Sequence, residues 1–160
     1  MNWTIETLNA NMDKELNAAM SNNVTKIAHA SPPEAEAHFS KRLTVETDCW
    51  DVHHALTNGA TDFVLLDVRG RDAYTAGHVP GAVSMPNAEI DADLMSPWSA
   101  ETVFVVYCWG PHCNGANKAA LRLARLGRPV KEMIGGVTGW TDEGFPFATG
   151  LEPGSLSTAR

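Results

Sequence analysis

The chain has 160 residues, 44% of them hydrophobic and 19% charged, with a formal net charge of -7. That length and apolar fraction suit one folded domain with an appendage and exclude a disordered polyelectrolyte. The acidic balance argues against nucleic acid or an anionic membrane as the main partner, since both need clustered Lys and Arg, and it leaves any anionic substrate to be attracted by local groups.

In chain order, "IETLNANMDKELNAAM" sets Ile5, Leu8, Met12, Leu16 and Met20 at steps of three and four, an apolar stripe on a helix. Either this domain or a partner must cover it, and a homodimer through the N-terminal helices is one expectation. "SNN" breaks the pattern, and Ser31 with Pro32-Pro33 then predicts a second, short helix. From "LTVETDCW" onward the rhythm is strand, helix, strand. Thr47 or Asp48 caps a helix holding Trp50, Val52, His53 and Leu56. "FVLLDV" (Phe63–Val68) and "TVFVVY" are continuous apolar runs, as in strands covered on both faces. Between them lie a loop, a helical turn, a short strand over Ala82–Met85, and "NAEIDADLM", which reads as a helix. "NKAALRLARLG" is a strong helix closed by Gly127. "PVKEMI" is a strand, "GGVTGWTDEGFP" a turn and short helix, and "LEPGSLSTAR" a loose tail. The expected organisation is a helical extension over 1–42, an α/β domain with a mainly parallel sheet over 43–150, and a flexible tail over 151–160.

Three cysteines, Cys49, Cys108 and Cys113, are an odd number and do not form a secreted disulfide framework. Met1–Glu15 lacks the basic and apolar regions of a signal peptide, and no stretch reaches the roughly 18 apolar residues of a membrane span. A cytoplasmic setting is expected, where thiols stay reduced. Cys108 stands where a buried strand ends and a helix is about to begin, which is where open parallel sheets hold ligands. Backbone N–H groups of a loop curling into a helix N-terminus would lower its pKa and hold a negative adduct. The loop residues Trp109, Gly110, Pro111, His112, Cys113, Asn114 and Gly115 form the candidate cradle. Cys113 reads as a resolving thiol, a sulfur relay or a loop filler. A zinc site of Cys108, His112 and Cys113 lacks a fourth ligand at metal spacing.

Three segments together resemble the rhodanese-like domain family: "LLDVRGRDAYTAGHVPGAVSMP", "VVYCWGPHCNGANKAALRLARLG" and "VKEMIGGVTGWTDEGFPF". The similarity covers about Leu43 to Ala148. It implies a sulfurtransferase fold in which Cys108 takes a sulfane sulfur from a donor such as thiosulfate, becomes a persulfide, and passes the outer sulfur to a thiol or protein acceptor. No metal or cofactor is implied. The loop departs from the family pattern. A basic residue is common about five positions after the cysteine, where this chain has Cys113, and the loop is about two residues longer; Lys118 is a substitute cation. Fold relatives among phosphatases and arsenate reductases place Arg one position further on, where this chain has Asn114. A non-catalytic interaction module and a two-cysteine redox protein remain as alternatives.

The other polar residues have structural readings beside functional ones. Asp67 and Arg69 form a strand-end ion pair, or Arg69 binds an anion. Arg71 is solvated and His78 serves a loop hydrogen bond. His112 either assists Cys108 or faces solvent, and His53-His54 ride a helix. Trp109 is a pocket wall or a platform, Trp140 is core, Gly135-Gly136 make a turn close to the cysteine loop, and Cys49 is buried and inert.

Overall fold

The computed structural model describes Met12, residues 22–60 and residues 62–156. Of the N-terminal stripe, Ile5, Leu8, Leu16 and Met20 lie outside the described residues. The chain divides into two compact units, residues 1–39 and 40–160. Helix α1 (Pro32–Val45) spans that division, and the expected boundary at 42/43 falls inside it. It begins where expected: the Glu34 carboxylate accepts the Ser31 N–H at 3.0 Å and its hydroxyl at 2.5 Å, which fastens the first turn to Ser31. It is longer than expected, at 14 residues. Nothing in "SKRLTV" breaks a helix, and Arg42 pairs with Glu46 one turn on. The first strand is therefore only β1 (Glu46–Asp48). Asp48, not Thr47, caps α2 (Cys49–Thr57) by accepting the Asp51 N–H at 2.8 Å.

The sheet continues with β2 (Phe63–Asp67), β3 (Val83–Ser84), β4 (Val103–Tyr107) and β5 (Val130–Ile134), in spatial order β1-β5-β4-β2-β3 with every pair parallel. Helices α3 (Arg71–Ala76), α4 (Ala92–Met95), α5 (Gly115–Arg125) and α6 (Gly136–Asp142) complete the described elements. "NAEIDADLM" is not one helix. A 3₁₀ turn over Asn87–Glu89 stops at extended Ile90, and Asp91 restarts the chain as α4 by accepting the Leu94 N–H. The run holds two N-terminal signals, so it makes two short pieces. Among the described residues, no helix is long and apolar enough to cross a membrane.

Two cores flank the sheet, and the two-residue period of the strands assigns side chains to them. Phe104, Val106 and Cys108 share one face with Leu66, Ala116, Ala119 and Leu123, under α5. Val105 and Tyr107 share the other with Leu65, Val52, Tyr74, Met133 and Trp140. Both central strands are covered twice, which is why their sequences are unbroken apolar runs.

At the carboxyl ends of β2 and β4 that second face turns polar. Asp67 and Tyr107 are register partners, and the Tyr107 hydroxyl donates to Asp67 Oδ2 at 2.7 Å while accepting the Val79 N–H at 3.0 Å. Burial, with Asp67 beside it, pushes the Tyr107 phenol well up, so it stays a donor. Arg69 closes the group, bonding Asp67 Oδ2 at 2.6 Å and the Gly77 carbonyl at 2.6 Å. Its charge is opposed by burial, then held by hydrogen bonds and attraction to Asp67.

The tail is not loose over its described part. Pro153 accepts the Gly81 N–H at 2.7 Å, the Glu152 carbonyl meets His78 Nε2 at 3.1 Å, and Leu156 packs on the second core. His78 is fully buried between that carbonyl and the Tyr74 carbonyl. The clasp joins segments 74 residues apart, so no local pattern announces it. Removing Asp67 strands the Arg69 charge: Asp67→Ala is expected to lower unfolding free energy by about 3–5 kcal/mol. Tyr107→Phe should cost only about 1–2 kcal/mol, both read from urea midpoints at unchanged slope.

Candidate functional site

β4 is the middle strand, and its alternation aims the Cys108 side chain at the N-terminal end of α5. From Cys108 the loop turns back on itself, with the Cys113 N–H donating to the Gly110 carbonyl at 2.9 Å. The start of α6 fixes its other side. Val137 N–H donates to the Cys108 carbonyl at 3.0 Å, and Thr138 donates to the Trp109 carbonyl from both its N–H, at 2.9 Å, and its hydroxyl, at 3.0 Å. In a trans peptide N–H and C=O point oppositely, so tying the Cys108 carbonyl to α6 sends the Trp109 N–H toward the sulfurs. Gly136 makes that clamp possible. A Cβ there would stand 2.4 Å from the Cys108 carbonyl oxygen, and its φ of +55° suits glycine.

The loop brings Cys108 and Cys113 together, with their sulfurs 2.9 Å apart and both thiols free. Gly115 lies against them: its N–H donates to Cys113 Sγ at 3.4 Å, and a Cβ there would meet Cys108 Sγ at 2.6 Å. The Cys108 pKa runs opposite to the lowering expected of the loop amides. Burial among apolar side chains, followed by the hydrogen bond with Cys113, pushes its thiol up to about 11. Cys113 moves the opposite way. Its hydrogen bond with Cys108, then the Gly115 N–H, lowers its pKa. The two thiols thus shift in opposite directions, with Cys108 7% exposed and Cys113 half-buried. The difference arises because burial weighs more on the inner sulfur, while the hydrogen bond between the two and then the Gly115 N–H favour the charged form of the outer one.

Cys108 opens on an inner pocket of about 170 Å³, whose walls include Cys113, Ala116, Asn117, Glu132, Gly135 and Gly136. Outside it, an open cleft of about 580 Å³ is lined by Trp109, Pro111, His112, Cys113, Asn114 and Asn117. Neither wall holds a Lys or Arg. Arg69 does not supply the missing cation. Its side chain is enclosed in the Asp67 group, with its guanidinium 4.6 Å from the centre of the Trp109 ring, so it supports the half-exposed indole rather than an anion. Asn114 precedes α5 without a side-chain cap bond, and His112 is exposed on the outer cleft. Lys118 is exposed and lowers the Cys113 pKa by its charge. Cys49 is buried beneath the double glycine, its thiol raised to about 11 by burial. Among the described residues no group of three His, Cys, Asp or Glu side chains could hold a metal ion.

Sequence reasoning missed Glu132 and Asn117. Glu132 follows Val130 by two residues on β5, so it shares the α5 face with Cys108, and Asn117 on α5 hydrogen-bonds its carboxylate. Burial and then Glu46 beside it raise the Glu132 pKa. The available signal was an acidic residue inside an otherwise strand-like run.

A parallel α/β sheet with a cysteine loop at the carboxyl end of its middle strand defines the class. A sequence model of the Rhodanese-like domain matches residues 51–143, and the chain belongs to that family. The chain is 38% identical over 96 residues to the HTH-type transcriptional regulator Rv0324 of Mycobacterium tuberculosis, covering 59% of this chain and 42% of the regulator. It is 34% identical over 80 residues to the thiosulfate sulfurtransferase GlpE of Pseudoalteromonas translucida, covering 49% of this chain and 73% of that protein. Among solved structures, the BH2092 protein of Bacillus halodurans superposes with a TM-score of 0.73 at 41% identity, over 76% of this chain and 88% of the other.

Two measurements test the site. Below the ordinary thiol range, near pH 7, iodoacetamide should label Cys113 first and Cys108 last among these two, as followed by peptide mapping. Gly115→Ala should leave the circular dichroism spectrum unchanged but displace Cys108 Sγ, changing the alkylation rate of Cys108 by about tenfold or more; alkylation at the wild-type rate would show that the close approach is not needed.

Proposed function

We propose that the chain is a sulfurtransferase that carries a sulfane sulfur as a persulfide on Cys108. The donor would be thiosulfate or another persulfide, and the acceptor a thiol or a protein thiol. One observation carries this reading: the Cys108 sulfur sits at the carboxyl end of the middle strand, on the floor of a small pocket, in contact with a second thiol and with the start of α5. The family membership and the sulfurtransferase name of GlpE support it.

The raised Cys108 pKa gives Cys113 a role in activation. A thiol whose pKa is raised needs a base within hydrogen-bond reach, and Cys113 Sγ, with its lowered pKa, is 2.9 Å away. As Cys108 attacks the sulfane sulfur, its proton passes to Cys113. The donor's S–S bond breaks, its electron pair leaves with the departing group (sulfite from thiosulfate), and the new S–S bond makes the persulfide. The acceptor thiolate then attacks the outer sulfur and returns Cys108 as a thiolate. The Trp109 N–H faces the Cys108 sulfur, where charge forms in the transfer step. The pocket walls carry a carboxylate and no cation, which favours uncharged or weakly charged sulfur compounds over the thiosulfate dianion.

Cys108→Ser should abolish sulfite release from thiosulfate while the protein stays folded by circular dichroism; turnover persisting in that variant would sink the reading. Glu132→Gln should raise kcat/KM for thiosulfate by about fivefold, on the order of 1 kcal/mol for one removed repulsion. An unchanged value would show that Glu132 is not felt by the donor.

A further inference from the structure

Sulfur transfer through Cys108 does not by itself call for a second thiol touching the first. Cys113 stands in van der Waals contact or closer, at 2.9 Å between sulfurs, and neither cysteine is in a disulfide. Closing that gap to a disulfide bond of about 2.05 Å needs an approach of about 0.9 Å. The sulfur that Cys113 touches is Sγ of Cys108, the inner sulfur of a persulfide formed there. The outer sulfur would project into the inner pocket, where Glu132 contributes negative charge and no Lys or Arg forms part of the wall. An anionic persulfide is therefore destabilised at its outer end and in contact with a nucleophile at its inner end.

From this juxtaposition we infer that the Cys108–Cys113 pair is a persulfide-resolving centre: Cys113 attacks the inner sulfur of a Cys108 persulfide and expels the outer sulfur as hydrogen sulfide. The inference rests on the Cys108-persulfide reading and adds a second activity to it. The step balances. Cys113 passes the proton it took as base to the outer sulfur, giving Cys108–S–SH, and then attacks Cys108 Sγ as a thiolate. The Sγ–S(outer) bond breaks, and its electron pair leaves with the outer sulfur as HS⁻. The sulfane sulfur is reduced, and the two cysteine sulfurs are oxidised to one disulfide. A small thiol or a dithiol protein then reduces that disulfide, taking up the oxidation, and restores both thiols. The lowered Cys113 pKa favours the attacking thiolate. In the absence of an acceptor, the chain would thus convert a sulfane donor to sulfide and store the oxidation as a Cys108–Cys113 bond.

The test uses the full chain, fully reduced and freed of thiol, with thiosulfate as the probe. Sulfite counts loading, sulfide counts resolution, and intact mass with peptide mapping locates the product. The wild type is expected to release sulfite and sulfide in equal amounts and to end about 2 Da lighter, with Cys108 and Cys113 joined. Cys113→Ser and Cys113→Ala, lacking their base, should load more slowly yet to the same extent, release sulfite without sulfide, and retain a gain of about 32 Da on Cys108. A wild-type chain that releases sulfite and keeps that added sulfur on Cys108, with no sulfide, overturns the inference while leaving sulfur transfer in place. Added sulfur mapping to Cys113 also overturns it, because the outer sulfur was then attacked and the pair is a relay. If no variant and no wild type releases sulfite or gains sulfur, the persulfide reading fails and the inference falls with it.

Discussion

The structure of the site depends on one peptide group, the bond between Cys108 and Trp109. Its carbonyl is held by the first amide of α6 that can reach it, from Val137, and the next carbonyl along is held by Thr138. That fastening sets the direction of the Trp109 N–H and, through the turn from Gly110 to Cys113, the place where the second thiol returns. It is possible only because Gly136 has no side chain in the 2.4 Å that separates a would-be Cβ from the Cys108 oxygen. A strand end, a loop and a distant helix are therefore joined mainly through backbone groups, with the Thr138 hydroxyl as the one side chain in the clamp described, and the two sulfurs meet as a result.

The electrostatics of the pair follow from depth. Cys108 belongs to the α5-side core together with Val106 and Leu123, so water cannot solvate its thiolate. Cys113, a few ångströms nearer the surface, has the Gly115 amide and the charge of Lys118. A helix N-terminus and a ring of amides were expected to lower the pKa of the inner thiol, but desolvation raises it, and the hydrogen bond with Cys108 and then the Gly115 amide lower the outer one. The consequence is a division within five residues of chain, with the thiol at the pocket floor pushed up and the one at its rim pushed down.

On the opposite face of the sheet, charge is used for architecture. Asp67, Arg69 and Tyr107 satisfy one another at the ends of β2 and β4, and Arg69 ends under the indole of Trp109. This polar group holds the strand from which Cys108 departs, but it spends the one buried guanidinium near the loop on structure. The inner pocket is left with Glu132 as its charged wall, in a chain that is acidic as a whole.

Much of the fold was legible in the amino-acid order because its signals are local. The apolar runs of β2 and β4 report coverage on both faces, Asp48 sits where a cap is needed, and the Ala/Leu/Arg pattern of α5 gives the face that packs under Cys108. Sequence alone also determined the presence of two thiols five positions apart after a buried strand, and a segment resembling one family's cysteine loop. It misjudged "NAEIDADLM" and the tail, where a capping aspartate and contacts to His78 and Gly81 outweigh composition. Only the tertiary structure decided which thiol is pushed up and which down, that Arg69 is enclosed, and that Glu132 shares a pocket with Cys108. Those properties depend on burial and on approach between segments remote in the chain, and neither is encoded in the spacing of neighbours.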